Sequence, residues 1–151
     1  MLRDELSGSL KEAMKAKDEQ KVSTLRLILA ALKDRDIAAR GKGQSEPVSE
    51  TEILEMLTKM IRQRRDSIKM YEEGGRVDLA EREQGEIDVI ETFLPKQLTE
   101  DEIRDAAKAV IAELGAAGLK DMGRTMSEMK QRYAGQMDPG KASTVVKALL
   151  T

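Results

Sequence analysis

Hydrophobic positions recur along this chain at three- and four-residue intervals, and β-branched residues seldom alternate with polar ones, so the pattern is helical throughout. Leu2, Leu6, Leu10 and Met14 mark a first short amphipathic helix. A second is predicted from about Glu19 to Ala39, carried by Val22, Leu25, Ile28, Leu29 and Leu32 and closed by Gly41-Lys42-Gly43, with a loop on to Pro47. Ser49-x-x-Glu52 reads as a capping box, in which the Ser oxygen accepts from an orphan helical N–H and the Glu reaches back. It opens a third, long helix with Ile53, Met56, Leu57, Met60, Ile61, Ile68 and Tyr71 on one face, stopped by Gly74-Gly75. Asp78-x-x-Glu81 offers a similar start to a fourth, with Leu79, Ile87, Ile90 and Leu94 inward and Pro95 at its end. Four such helices with short connections close a bundle.

The remainder reads as a separate unit. Thr99-Glu100-Asp101-Glu102 is another capping box, ahead of Ile103, Ala107, Val110, Ile111 and Leu114, and Gly115 and Gly118 break that helix. Asp121 then begins a helix with Met122, Met126, Met129 and Tyr133, and Gly135 is placed for a left-handed C-terminal cap. Asp138-Pro139 supplies an N-cap with Pro at the first helical position, launching Val145, Val146, Leu149 and Leu150. The fold class is therefore all-α, with a four-helix bundle over 1–96 and a three-helix module over 97–151, divided near Pro95–Leu98.

Composition then narrows the chemistry. The 151 residues include no Cys, no His and no Trp, and the aromatic residues are Tyr71, Phe93 and Tyr133. Disulfides, thiolate nucleophiles, Ser-His-Asp catalysis and histidine-ligated zinc are thereby excluded. A net charge of −2 is not that of a strongly basic nucleic-acid binder. Apolar runs fall short of a transmembrane helix, and Arg3-Asp4-Glu5 places charge where a secretory signal would turn apolar, so a cytoplasmic location is expected.

Three polar residues occupy apolar phases. At about 100° per residue, Arg64 falls within about 20° of Ile53 and Tyr71, and Glu83 and Glu86 within about 40° of Leu79. An antiparallel hairpin through Gly74-Gly75 brings Arg64 near Glu86. A lone buried charge is costly, so Arg64 is expected to pair with one or both carboxylates, as a structural ion pair in preference to an anchoring pocket. Ser127-x-x-Lys130 matches the spacing of Ser/Lys acyl-transfer enzymes, but its companion motifs are missing and Gln131 and Arg132 beside it suggest solvent. Arg40-Gly41-Lys42-Gly43-Gln44 lacks the remaining features of a phosphate-binding loop and reads as a linker. Glu81, Glu83, Glu86 and Asp88 lack the His partners of helical di-metal centres. No catalytic residue, metal or cofactor is assigned, and the methionines read as core filler.

Charge is unevenly distributed. Residues 99–113 carry two basic and five acidic side chains, whereas 120–151 carry six basic and three acidic. Lys120, Arg124, Lys130, Arg132, Lys141 and Lys147 thus surround glycine-bearing turns, an arrangement that suits phosphate contact and equally a solvated helix face.

Several stretches are familiar. Leu25-Arg26-Leu27-Ile28-Leu29-Ala30-Ala31-Leu32-Lys33, Gly75-Arg76-Val77-Asp78-Leu79-Ala80 and Phe93-Leu94-Pro95-Lys96-Gln97-Leu98-Thr99 resemble the YqeY-like proteins, although the family often has Tyr at the position of Phe93. Asp121-Met122-Gly123-Arg124, Tyr133-Ala134-Gly135 and Asp138-Pro139-Gly140-Lys141 resemble the tail that this family shares with GatB, the B subunit of the glutamine-dependent tRNA amidotransferase. The resemblance implies two all-helical units and a tail that contacts RNA, with tRNA, or a protein partner in tRNA amidation or translation, as the expected ligand. Family transfer would add carbon–nitrogen ligase activity with glutamine as amido donor, but in the amidotransferase other domains perform that chemistry. A helical scaffold that docks proteins through the N-terminal bundle is the competing expectation.

Overall fold

A computed structural model describes residues 1–151, and every regular element in it is helical. The elements are α1 (Leu2–Ala16), α2 (Glu19–Gly41), α3 (Glu50–Glu73), α4 (Val77–Glu91), α5 (Glu100–Leu114), a 3-10 turn (Leu119–Asp121), α6 (Met122–Arg132) and α7 (Pro139–Leu150). They form two compact units, Met1–Leu94 and Pro95–Thr151.

In the N-terminal unit α1 packs on α2 and α3 on α4, with α2 also crossing α4. Leu6, Leu25, Ile28, Ile53, Leu57, Ile87 and Ile90 are fully buried at its centre. The inward face of α1 departs from the four-residue series: Ala13 is buried, whereas Met14 is exposed. A strict four-residue step drifts by about 40° each time, which leaves Met14 about 120° from Leu2 but Ala13 only about 20° away.

Helix ends show which local signals operate. Ser49 accepts from the Glu52 N–H at 3.2 Å, but Glu52 turns to the Ser49 hydroxyl, so the box is only half formed. Thr99 and Glu102 complete the reciprocal box at the start of α5. The fourth helix begins before Asp78, because Gly75 at φ 73° closes α3 and the chain re-enters helix at once. Asp78 lies in the first turn instead, bonded by the Arg76 guanidinium at 3.1 and 3.2 Å. α4 stops at Glu91, and Thr92, Phe93 and Leu94 bond back to Val89, Ile90 and Glu91 in 3-10 fashion ahead of Pro95. Asp121 closes a 3-10 turn rather than capping α6 with its side chain. Gly135 is left-handed, at φ 75°, but lies beyond the Tyr133 C-cap of α6, in the turn to α7. Its carbonyl accepts from Gln97 Nε2 at 2.6 Å.

In the C-terminal unit α5, α6 and α7 pack pairwise around Ile103, Ala107, Val110, Met129, Ala142 and Val146. Asp138 accepts from the Lys141 N–H and Pro139 occupies the first turn of α7.

A polar fork ties three segments of the N-terminal unit. Arg3 donates to both oxygens of Asp36 at 2.9 and 2.7 Å and to the Val48 carbonyl at 3.1 Å. The Val48 N–H returns to Asp36 at 3.0 Å. The Arg3 hydrogen bonds, with help from Val48, lower the Asp36 carboxyl from an ordinary 3.8 to about 2, against the opposing effect of burial. The folded state therefore prefers the charged form more than the unfolded chain does. This stabilisation is full above the ordinary carboxyl range and disappears as pH falls through about 2. Arg3 is a third exposed, so screening limits the effect to about 1–2 kcal/mol. Urea melts of wild type and Asp36→Asn should differ by that amount at neutral pH and converge near the acid end; a constant difference across the range would exclude this role.

Candidate functional site

The Gly74-Gly75 turn folds α3 against α4 and brings Arg64 to Glu86, with Arg64 Nε donating to Glu86 Oε2 at 2.8 Å. A second guanidinium nitrogen donates to the Met60 carbonyl at 3.1 Å, one turn back on the same helix. Only 14% of the Arg64 and 16% of the Glu86 side chain remains exposed. Glu83, one turn earlier on α4, is half-buried, and its carboxyl is raised above its ordinary value by burial and then by the Glu86 charge, with Arg64 and Arg82 opposing. Glu81 and Asp88 are exposed. Arg64 thus has a bonded acid on one side and a backbone acceptor on the other, as expected of a group that fixes helix register.

The six tail cations do not behave as one group. Arg124 donates to Asp121 at 3.0 Å, and Asp121 also accepts from the Ala117 N–H at 2.9 Å. That backbone bond, ahead of Arg124, lowers the Asp121 carboxyl. Arg132 is held between Glu128 at 2.8 Å on its own helix and Glu113 on α5. Glu113 is lowered by this contact and Arg132 is raised by both acids. Two of the six positive charges are therefore locally compensated; Asp121 and Glu128 lie at helical spacing from their arginines, whereas Glu113, 19 residues from Arg132, is a partner that sequence spacing does not show. Lys120, Lys130, Lys141 and Lys147 are exposed.

Lys130 closes α6 and Lys141 opens α7, so they flank the same turn, while the 3-10 turn carrying Lys120 packs on α7. Lys141 also lines a depression of about 260 Å³ with Leu98, Ile103 and Val145, where its apolar stem can lie along the wall. Ser127 and Lys130 both face solvent on α6, so the acyl-transfer spacing has no enclosed environment. Tyr133, the aromatic ring nearest these cations in sequence, is half-buried and packs against the tail core. Its face is accordingly little available for base stacking.

The Arg3–Asp36–Val48 fork lacked a sequence signal, because Arg3 and Asp36 belong to helices whose relative phase no periodicity specifies. Val48, an apolar residue between Pro47 and a cap, was the one hint of a buried anchor in the loop; it is 5% exposed.

The family profile described as "Yqey-like protein" matches residues 3–150. Among curated proteins, the chain is 42% identical over 89 residues to "Altered inheritance of mitochondria protein 41, mitochondrial" of Saccharomyces cerevisiae. Its counterparts in Lachancea thermotolerans and Eremothecium gossypii are 38% and 36% identical over 89 residues. Each match covers 59% of this chain and 46% of the relative, so the chain spans about half the length of the curated relatives it matches. Their mitochondrial designation overturns the expectation of a cytoplasmic location. The charge of Arg3, Asp4 and Glu5 does not distinguish one compartment from another. No helix is long and apolar enough to cross a membrane.

Truncating Arg64 leaves Glu86 half-buried and unpaired beside Glu83. Arg64→Ala should cost about 2–4 kcal/mol in chemical denaturation, less than a fully buried pair because both side chains retain some solvent. Arg64→Met with Glu86→Leu should recover much of it, and Glu83→Gln should stabilise at neutral pH by removing a desolvated like charge. Wild-type stability in Arg64→Ala would refute the register role.

Proposed function

The chain belongs to the YqeY-like protein family, and on that premise we propose that it is a non-catalytic RNA-binding accessory whose C-terminal unit makes the contact, with tRNA as its RNA. The observation that carries this reading is the set of four exposed lysines on the 3-10 turn, α6 and α7, left after the two arginines are drawn into ion pairs. The resemblance of the same segment to the GatB tail supports the ligand class.

Four point charges on flexible stems suit phosphates more than bases. Lysine lacks the planar fork that reads a base edge, and the half-buried Tyr133 leaves little for stacking. Recognition should therefore follow backbone and shape. Three of the eight carboxylates of this unit, Glu113, Glu128 and Asp121, are engaged by these arginines, which reduces their repulsion of phosphate. The glutamine chemistry of the amidotransferase has no residues here to perform it, since Ser127 and Lys130 stand in solvent.

Labelled tRNA should bind the wild-type protein weakly, with dissociation constants on the order of 10⁻⁴–10⁻⁶ M at physiological salt. With about four phosphates neutralised, affinity should fall about a hundredfold between roughly 50 and 200 mM salt. Replacing Lys120, Lys130, Lys141 and Lys147 together by Ala should abolish both binding and slope, whereas Arg124→Ala should change them little. Absence of binding at low salt, or equal binding by the quadruple variant, would dismiss the tail as an RNA site.

A further inference from the structure

α2 is apolar on two opposite faces. Leu25, Ile28 and Leu32 face the core, yet Leu27 is 45% and Ile37 51% exposed on the other side, with Ser23 and Ala30 exposed between and before them. Positions 23, 27, 30, 34 and 37 alternate by four and three residues, the spacing of a coiled-coil seam, with Leu27, Ala30 and Ile37 apolar and Ser23 and Asp34 polar. At the N-terminal end of this seam Glu19, Val22, Ser23, Arg26 and Leu27 line a depression of about 430 Å³, so its outer end carries one acid beside Arg26.

One border of the seam is cationic. Arg26, Lys33 and Arg40 are exposed, seven residues apart, and so stand in a row at intervals of about 10.5 Å along the helix. The other border, Thr24, Ala31 and Ala38, has no charge and turns toward the core, with Thr24 buried, Ala31 half-buried and only Ala38 exposed. The N-terminal unit as a whole has 17 basic and 20 acidic residues, whereas α2 has five basic and three acidic.

This asymmetry specifies the occupant. An antiparallel second copy would set Arg26 against Arg40 and Lys33 against Lys33 of its neighbour, which is repulsive; a parallel copy would set the cations against alanines and gain nothing. A seam about one residue wide offers too little apolar area for insertion into a bilayer. We infer that the outer face of α2 docks an amphipathic helix of another protein, one that bears acidic residues at seven-residue spacing beside a small apolar face. Leu27 and Ile37 supply the apolar contact, Ala30 admits close approach, and Arg26, Lys33 and Arg40 select the partner by charge. Asp34 fixes register by requiring one donor in the partner's apolar face. The inference is independent of the RNA reading, which concerns lysines of the other unit.

The probe is a fluorescent three-heptad peptide with Leu and Ala on one face, Glu along its flanks and one Lys placed to meet Asp34. A second peptide has Lys in place of each Glu. The full chain should bind the acidic peptide at low salt and prefer it at least tenfold over the basic one. Changing Arg26, Lys33 and Arg40 together to Glu should invert that preference, and Leu27→Asp with Ile37→Asp should remove binding of both. All the altered side chains are exposed, and thermal melts check that the variants fold; should the Glu variant unfold, the triple Gln variant must instead erase the preference. Failure to bind the acidic peptide, or equal binding of both peptides, overturns the inference. So does binding to phosphatidylserine vesicles or to tRNA that is lost with the same three cations while the acidic peptide is ignored.

Discussion

Asp36 is where three segments of the N-terminal unit converge. From its place on α2 its carboxylate takes both prongs of Arg3 from α1 and the N–H of Val48 from the segment leading into α3. The need for such a tie follows from composition. The core of this unit is aliphatic, with Leu and Ile at nearly every fully buried position, and aliphatic contact is strong but non-directional. Such contacts set helix register through side-chain shape alone, without a directional bond. A bidentate guanidinium–carboxylate pair is directional, because its two parallel bonds hold only in one geometry. The Leu2 N–H bonded to Glu50 adds a second link, from the start of α1 to the start of α3. Arg64 and Glu86 do the corresponding work between α3 and α4, so each helical hairpin carries one polar register mark.

This division also explains what could be read from the residues in order. Element type was legible everywhere because the apolar phase persists over whole helices, and caps with a local side-chain partner, such as Thr99–Glu102 and Asp138, announced themselves. Failures concentrate where a local signal competes with a neighbour. Asp78 looks like a cap, but the closure at Gly75 starts α4 earlier and Arg76 takes the carboxylate. Lys17 ends α1 in the left-handed conformation at φ 57°, a position where glycine would be the usual advertisement. Arg64 and Glu86 stood out in sequence because each breaks an apolar phase. Arg3 and Asp36 lie on polar faces where charge is ordinary, and their pairing, like that of Arg132 with Glu113, is defined only by helix packing.

Packing changes the electrostatic reading of the tail for the same reason. Counted along the chain, an acidic α5 precedes basic α6 and α7; in the folded unit Arg132 reaches across to Glu113, so part of that polarity cancels internally. The arginines suit this because their planar donors engage two acceptors at once, as Arg132 does with Glu113 and Glu128. Lysines remain as exposed point charges. A polyanion at this surface would therefore meet exposed ammonium groups in place of planar guanidinium forks.

The perturbed groups point in the same direction. Asp36, Asp121 and Glu113 are each lowered by a guanidinium or a backbone N–H that they hold at the same time, so their preference for the charged form is spent on folding. Glu83 is raised, yet by burial on the α4 face beside Glu86 and Arg64, where it shares a structural cluster. A general acid or base must combine a shifted pKa with an accessible proton and a substrate within hydrogen-bond reach. Groups whose shifts arise from partners inside the helical framework satisfy the first condition by giving up the second. What the chain leaves unengaged is instead spread over helix exteriors: the apolar seam of α2 with its cationic border, and the tail lysines. Side chains so disposed suit contact with an extended partner, and it is on them that we propose an RNA and a helical protein dock.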